Sequence, residues 1–138
     1  MIVRKASDEG HVVEWFNARM HVTLPREDAE SVEIVHELFP GSADAPLNTH
    51  PEMEQVYFII SGSGIAIVGE EQSEIGAGDL VYIPRNAVHA VRSGASGLEY
   101  ICINSFPNGY PADEPVWADH ERVVRKSFGF PPAPEANA

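Results

Sequence analysis

The chain contains 138 residues, of which 43% are hydrophobic and 22% are charged, and its formal net charge at pH 7 is −12. This length is sufficient for one hydrophobic core, so we expect a single globular domain. The 21 acidic residues outnumber the 9 basic ones and repel polyanions, which excludes nucleic acid and anionic membrane surfaces as partners.

The chain has one cysteine, Cys102, so no internal disulfide bond can form. Its neighbours in the segment YICIN are apolar, which favours a buried thiol over a reactive one. The first ten residues contain no apolar leader, and the longest hydrophobic run, VYFII at 56–60, is too short to span a bilayer. We therefore expect a cytoplasmic protein that makes no membrane contact.

Alternation of apolar and polar residues, rich in β-branched and aromatic types, predicts about seven short strands. In chain order these are RMHVTL at 19–24, SVEIVHELF at 31–39, QVYFII at 55–60, GIAIVG at 64–69, DLVYIP at 79–84, AVHAV at 87–91 and LEYICINSF at 98–106. Turn residues separate them, as in SGSG at 61–64 and GEEQ at 69–72. The regular spacing indicates an antiparallel sandwich or barrel.

The two ends of the chain are less densely patterned than its centre. We predict an N-terminal arm at 1–30, a barrel core at 31–106 and a C-terminal extension at 107–138. The arm should contain one or two strands that pair with an edge strand of the same or a neighbouring subunit. In the extension, DHERVVRKSF at 119–128 predicts a short helix, whereas the tail PPAPEANA at 131–138 has too little apolar content to fold alone.

Two clusters of polar residues lie among the predicted strands. In the first, Asn48 and His50 are two positions apart, and Gln55 opens the strand at 55–60. Alternate residues of an extended chain face the same side, so these side chains should share one face. The second cluster contains Asn86 and His89, and antiparallel pairing would bring the two clusters together.

These clusters resemble the two motifs of the cupin superfamily, whose members are small jelly-roll β-barrels. The segment PLNTHPEMEQVYFIISG at 46–62 is similar to the first motif, and GDLVYIPRNAVHAVRS at 78–93 is similar to the second. The resemblance implies an all-β, single-domain jelly-roll barrel that forms a homodimer. Asn86 stands where the second motif has glycine, and asparagine tolerates the positive φ that such a turn requires.

The resemblance also implies one divalent metal ion, held by two histidines and a glutamate of the first motif and a histidine of the second. His50 and His89 are retained, whereas Asn48 replaces the other histidine and Gln55 replaces the glutamate. A shift of the loop by one residue would offer Glu54 as a ligand, but alternation places Glu54 on the opposite face from Gln55. The predicted metal ligands are therefore His50, His89, Gln55 and Asn48, with Glu54 as the alternative. Neutral amides should weaken metal affinity and leave a bound ion a stronger Lewis acid.

The catalytic residues are not determined by the sequence, although three candidates follow from it. Tyr57 and Tyr82 are candidate acids or hydrogen-bond donors, and His36 is a candidate if its ring points into the barrel. His120 is predicted to lie at the surface.

The resemblance leaves three hypotheses open for function. The first is a metal-dependent enzyme of dioxygenase, isomerase or lyase type, which would act on a small oxygenated organic molecule with Fe, Mn, Ni or Zn. The second is a metal-free or weakly metallated module that binds or senses a small molecule. The third is a structural dimer, which would have a filled barrel.

Overall fold

The computed structural model describes residues 1–5, 8 and 10–134. Residues 6, 7 and 9 of the predicted arm and residues 135–138 of the predicted tail lie outside the described residues. The described residues form seven strands and one α-helix: β1 Val12–Trp15, β2 Ala18–Leu24, β3 Val32–Phe39, β4 Glu54–Val68, β5 Glu71–Gly76, β6 Leu80–Ile83, β7 His89–Ser105 and α1 Trp117–Phe128. A 3-10 turn spans Arg26–Asp28.

All strand pairs are antiparallel, in the order β1-β2-β3-β7-β4-β5, with β6 beside the first half of β4. The two long strands β4 and β7 pair over both halves, from Glu54 opposite Ser105 to Val68 opposite His89. One half of this ribbon is flanked by β3 and β6, and the other half is flanked by β5. The predicted antiparallel jelly-roll fold is confirmed, with a cavity between its walls.

The strand break predicted at SGSG is wrong, because β4 continues through it. Gly62 and Gly97 both have left-handed backbone conformations, with φ of +83° and +87°. A side chain at Gly62 would place its Cβ 2.2 Å from the carbonyl oxygen of Gly97. The two glycines therefore let β4 and β7 bend together at a corner while their pairing resumes on either side.

Three further elements differ from the sequence prediction. The strands predicted separately at 87–91 and 98–106 are one continuous strand, β7. β5 begins inside the segment predicted as a turn, and its residues other than Ile75 and Gly76 are polar and exposed, so hydrophobic alternation did not reveal it. The helix α1 begins two residues earlier than predicted because Trp117 packs against Trp15 of β1, at a ring-centroid distance of 6.0 Å. The Asp119 carboxylate accepts a hydrogen bond from the Val116 N–H at 3.4 Å, which supports that start.

The N-terminal arm and α1 together close one end of the barrel. β2 pairs with β3 of the same chain, and the turn between β1 and β2 carries Phe16 against Phe128 of α1, with ring centroids 5.0 Å apart. Trp15 and Trp117 are buried at this contact. No helix within residues 1–5, 8 and 10–134 is long and apolar enough to cross a membrane.

Candidate functional site

A cavity of about 130 Å³ lies inside the barrel. Strands β3, β4 and β7 form its sides, while α1 and the turn between β1 and β2 contribute residues at one end. Apolar protein cavities of about 150 Å³ accommodate a molecule the size of benzene. The barrel is therefore not filled, and its size suits a ligand of only a few carbon and oxygen atoms.

The two loops that carry the histidines are joined by backbone hydrogen bonds. The Asn48 N–H donates to the His89 carbonyl at 2.9 Å, and the His89 N–H donates to the Asn48 carbonyl at 2.8 Å. The Asn86 N–H donates to the His50 carbonyl at 2.9 Å, and Asn86 has a φ of +69°, as predicted for this turn. As a result, the rings of His50 and His89 lie side by side at the cavity, with centroids 5.2 Å apart.

Both imidazoles are uncharged at neutral pH. Burial lowers the pKa of His50 to about 3, and the neighbouring His89 and His120 shift it in the same direction. Burial also lowers the pKa of His89, against the opposing effect of its contact with the Ala87 carbonyl. Since a carbonyl only accepts, the proton of neutral His89 lies on Nδ1, which contacts the Ala87 oxygen at 2.9 Å. Its Nε2 is thereby left as an acceptor.

The orientation of the Gln55 amide is set by a buried chain of hydrogen bonds. The Arg26 guanidinium donates to the Glu33 carboxylate at 2.9 Å, and the Asn104 amide donates to the same carboxylate at 3.4 Å. Because the Asn104 amide nitrogen is used in this way, its oxygen accepts from the Gln55 Nε2 at 2.8 Å. The Gln55 Oε1 is left buried, without a hydrogen-bond partner in the described part of the chain, on a side chain that lines the cavity.

The side-chain oxygens of the two remaining predicted ligands are hydrogen-bonded elsewhere. Asn48 lines the cavity but is exposed, and its Oδ1 accepts a hydrogen bond from the Thr49 N–H at 2.9 Å. Glu54 points away from the cavity, where its carboxylate accepts a hydrogen bond from the Tyr82 hydroxyl at 2.7 Å. Gln55, and not Glu54, is therefore the β4 residue that the fold presents to the histidine pair.

Of the three catalytic candidates, the structure brings one to the cavity. Tyr57 is buried beside it and stacks on Tyr100, with ring centroids 4.6 Å apart. Tyr82 is about half exposed on the outer face of β6. His36 also lies on the outer face, where its Nε2 contacts the Glu99 carboxylate at 2.8 Å, so the condition on which His36 was a candidate, a ring that points into the barrel, is not met. Alternation along β3 turns Val35 and Glu37 to the cavity and His36 away from it.

Two cavity residues were missed by the sequence analysis. Glu37 lines the cavity from β3, and burial raises its pKa from 4.5 to about 7, although a hydrogen bond from Tyr100 opposes the shift. Its side chain is half-buried and borders the cavity. His120 also lines the cavity, from α1, so its predicted surface position is wrong. No local signal marked either residue, because the more apolar face of β3 is the one opposite Glu37 and His120 lies in a short polar segment.

The donors at this site suit a metal ion only in part. Among residues 1–5, 8 and 10–134, no three His, Cys, Asp or Glu side chains converge closely enough to hold one. Two neutral imidazoles and the free oxygen of Gln55 form a three-donor set without negative charge. Such a set is compatible with a divalent transition metal but binds it more weakly than a set with a carboxylate.

Comparison with known proteins agrees with this fold. The family model described as the cupin domain matches residues 34–104, from β3 to β7. An uncharacterized protein of Methanocaldococcus jannaschii is 27% identical over 78 residues, which cover 56% of this chain and 62% of that protein. The chain therefore spans less than two thirds of this relative's length.

Two solved structures share the architecture at low sequence identity. A predicted oxalate decarboxylase from Thermotoga maritima superposes with a TM-score of 0.66 and 18% identity, covering 77% of this chain and 99% of that one. An RmlC-like cupin from Shewanella frigidimarina has a TM-score of 0.62 and 15% identity, covering 76% of this chain and 94% of that one. At these identities the likeness concerns the fold alone. Because the family match runs through the strands that carry both histidine loops, this chain belongs to the cupin family.

Proposed function

We propose that this protein is a metal-dependent enzyme that acts on a small oxygenated organic molecule inside the barrel. The observation that carries this proposal is the Gln55 Oε1, which is buried and has no hydrogen-bond partner among residues 1–5, 8 and 10–134, on a side chain that lines the cavity with the two neutral histidines. An unsatisfied buried acceptor costs about 1–3 kcal/mol, so its retention calls for a group that satisfies it. A divalent cation is one group that an amide oxygen and two imidazole nitrogens satisfy together.

His50, His89 and Gln55 would hold this metal, and Fe, Mn, Ni and Zn are the candidate ions. When bound, such an ion supplies a Lewis acid that polarises an oxygen atom of the substrate. The chain itself contributes the shape of the site: the buried hydrogen bonds from Arg26 to Gln55 hold the amide oxygen in place. The buried Tyr57 hydroxyl is a candidate hydrogen-bond donor to the substrate, since burial raises its pKa well above 10 and keeps it protonated.

A metal-free binding module is the second candidate function. It is supported by the missing carboxylate at the Gln55 position and by the engagement of the Asn48 oxygen with the Thr49 N–H. In that case the Gln55 Oε1 would accept a hydrogen bond from a ligand hydroxyl or amine, and the histidine nitrogens would accept others. Dioxygenase, isomerase and lyase activities all remain compatible with the first candidate, because one fold hosts many reactions.

Elemental analysis of protein purified without an affinity tag or chelator tests the proposal. We expect close to one equivalent of a transition metal in the natural protein, and its loss in His50→Ala and in His89→Ala. The matched control is His36→Ala, which removes an imidazole from the outer face and should keep the metal. Natural protein that contains no metal and takes up none from an added Fe, Mn, Ni or Zn salt would refute the metal-dependent function and favour the binding module.

A further inference from the structure

Glu37 is an acidic residue inside the cavity with no basic side chain opposite it. Within the described chain, the side chains that line the cavity include no lysine or arginine. The three histidines of the cavity are each directed to another partner: Nδ1 of His50 lies 3.7 Å from the Glu52 carboxylate, Nδ1 of His89 lies 2.9 Å from the Ala87 carbonyl oxygen, and Nδ1 of His120 lies 2.8 Å from the Glu114 carboxylate. Buried charges in proteins are normally paired, so a carboxyl retained here without a counter-charge indicates that something else supplies one.

Several aromatic residues line the cavity together with Glu37. Tyr100 lies opposite Glu37 on the neighbouring strand, and Phe39 and Tyr57 both stack on the Tyr100 ring, at centroid distances of 6.0 and 4.6 Å. Trp15 and Trp117 line the same cavity. Aromatic faces attract cations electrostatically, and cages of such rings recognise quaternary ammonium groups.

The volume of the cavity and the net charge of the protein both suit a small cationic ligand. A volume of about 130 Å³ suits a group the size of tetramethylammonium or a slightly larger amine. The net charge of −12 raises the local concentration of cations around the protein and lowers that of anions. A free carboxylate ligand would instead meet the repulsion of an ionised Glu37.

We propose that the cavity binds a small organic cation, of alkylammonium class, with Glu37 as its counter-ion and the aromatic side chains as its walls. This proposal deepens the proposed function, because it rests on the same cavity being the substrate site and narrows the small oxygenated substrate to one that also carries an alkylammonium group. Binding of the cation would keep Glu37 ionised. The side chains that face Glu37, namely Tyr57, Tyr100 and Cys102, stay protonated because burial raises the pKa of each.

Tetramethylammonium chloride is the probe for this site, at pH 8 and at an ionic strength held constant with NaCl. The chain has only two tryptophans, and both line the cavity, so their fluorescence reports on its contents. We expect a saturable change in the natural protein and an affinity weaker by about tenfold or more in Glu37→Gln, which keeps the shape of the side chain and removes its charge. The exposed Glu74→Gln removes the same charge outside the cavity and should bind as the natural protein does.

A second measurement keeps the test valid if Glu37→Gln fails to fold. The Tm of the natural protein should rise with tetramethylammonium and should stay constant with the same concentration of NaCl. The proposal is overturned if neither fluorescence nor Tm responds, if Glu37→Gln binds as tightly, or if neutral tert-butanol, which has a similar shape, binds equally well. Metal content is measured on the same sample: metal without cation binding refutes this proposal alone, whereas cation binding without metal refutes the proposed metal dependence alone.

Discussion

The Glu37→Gln variant should gain stability over the natural protein, and this gain in the free energy of unfolding should be larger at pH 8 than at pH 5.5. Burial raises the pKa of Glu37 from 4.5 to about 7, so between these values the folded protein holds a proton that the unfolded chain releases. The stability that this carboxyl contributes is therefore present below pH 4.5 and is lost as the pH rises through 7. Because the glutamine amide does not ionise in this pH range, the variant does not lose this stability.

The size of the effect follows from the two pKa values. A difference of one pKa unit corresponds to about 1.4 kcal/mol, so the natural protein loses about 3 kcal/mol by pH 8 and about 1.4 kcal/mol by pH 5.5. The advantage of Glu37→Gln should therefore grow by about 2 kcal/mol between the two pH values. Titration of the buried histidines changes the stability of both proteins equally and cancels in this comparison.

Urea unfolding followed by tryptophan fluorescence measures both free energies of unfolding, in the presence of a chelator so that metal binding does not contribute. Glu74→Gln, on the exposed face of β5, reports the effect of net charge alone. If Glu37→Gln gained the same stability at both pH values, the carboxyl would not hold its proton as the structure requires. If the variant were less stable than the natural protein at pH 8, the ionised Glu37 carboxylate would already have a favourable partner in the natural protein. Glu37 would then not lack a counter-charge.

Three other outcomes are expected. Arg26→Met should cost about 3–5 kcal/mol of unfolding free energy in urea, because Glu33 would be left as an unpaired buried charge; a cost under 1 kcal/mol would contradict this. The double change Asn48→His with Gln55→Glu should tighten zinc binding in calorimetric titrations by restoring two stronger donors, and an unchanged affinity would refute the ligand assignment. Leu80→Asp should convert the predicted homodimer to a monomer in light scattering, since Leu80 is exposed on an apolar outer face; a natural protein that is already monomeric would show the dimer prediction to be wrong.

The antiparallel class, the family and the two histidine loops were all predictable from local sequence patterns. Alternation over 55–60 also assigned Gln55 and Glu54 to opposite faces of β4, and in the structure Gln55 is buried whereas Glu54 is only partly buried. The paired loops were predictable because their spacing places turn residues and polar side chains at the ends of predicted strands. All of this information is local to segments of a few residues.

Which of the two faces of β3 is buried depends on the tertiary structure and could not be predicted from its own sequence. Its even-numbered face, with Val32, Ile34 and Leu38, is the more apolar of the two, and it contains His36. The fold nevertheless turns Glu33 and Glu37 inward. Glu33 is tolerated there because Arg26, a residue of a different segment, neutralises it, and Glu37 is tolerated because it borders a cavity.

The same reason accounts for the other differences between prediction and structure. Gly62 ends a strand by local rules, but Gly97 of β7 lies against it and lets both strands continue. His120 is an ordinary polar residue of a short helix until Trp15 and Trp117 dock that helix on the barrel. Local pattern therefore predicted most of the strand segments and which loops carry the histidines. Contacts between distant segments decided which side chains enter the cavity, because only those contacts determine which face of each element is buried.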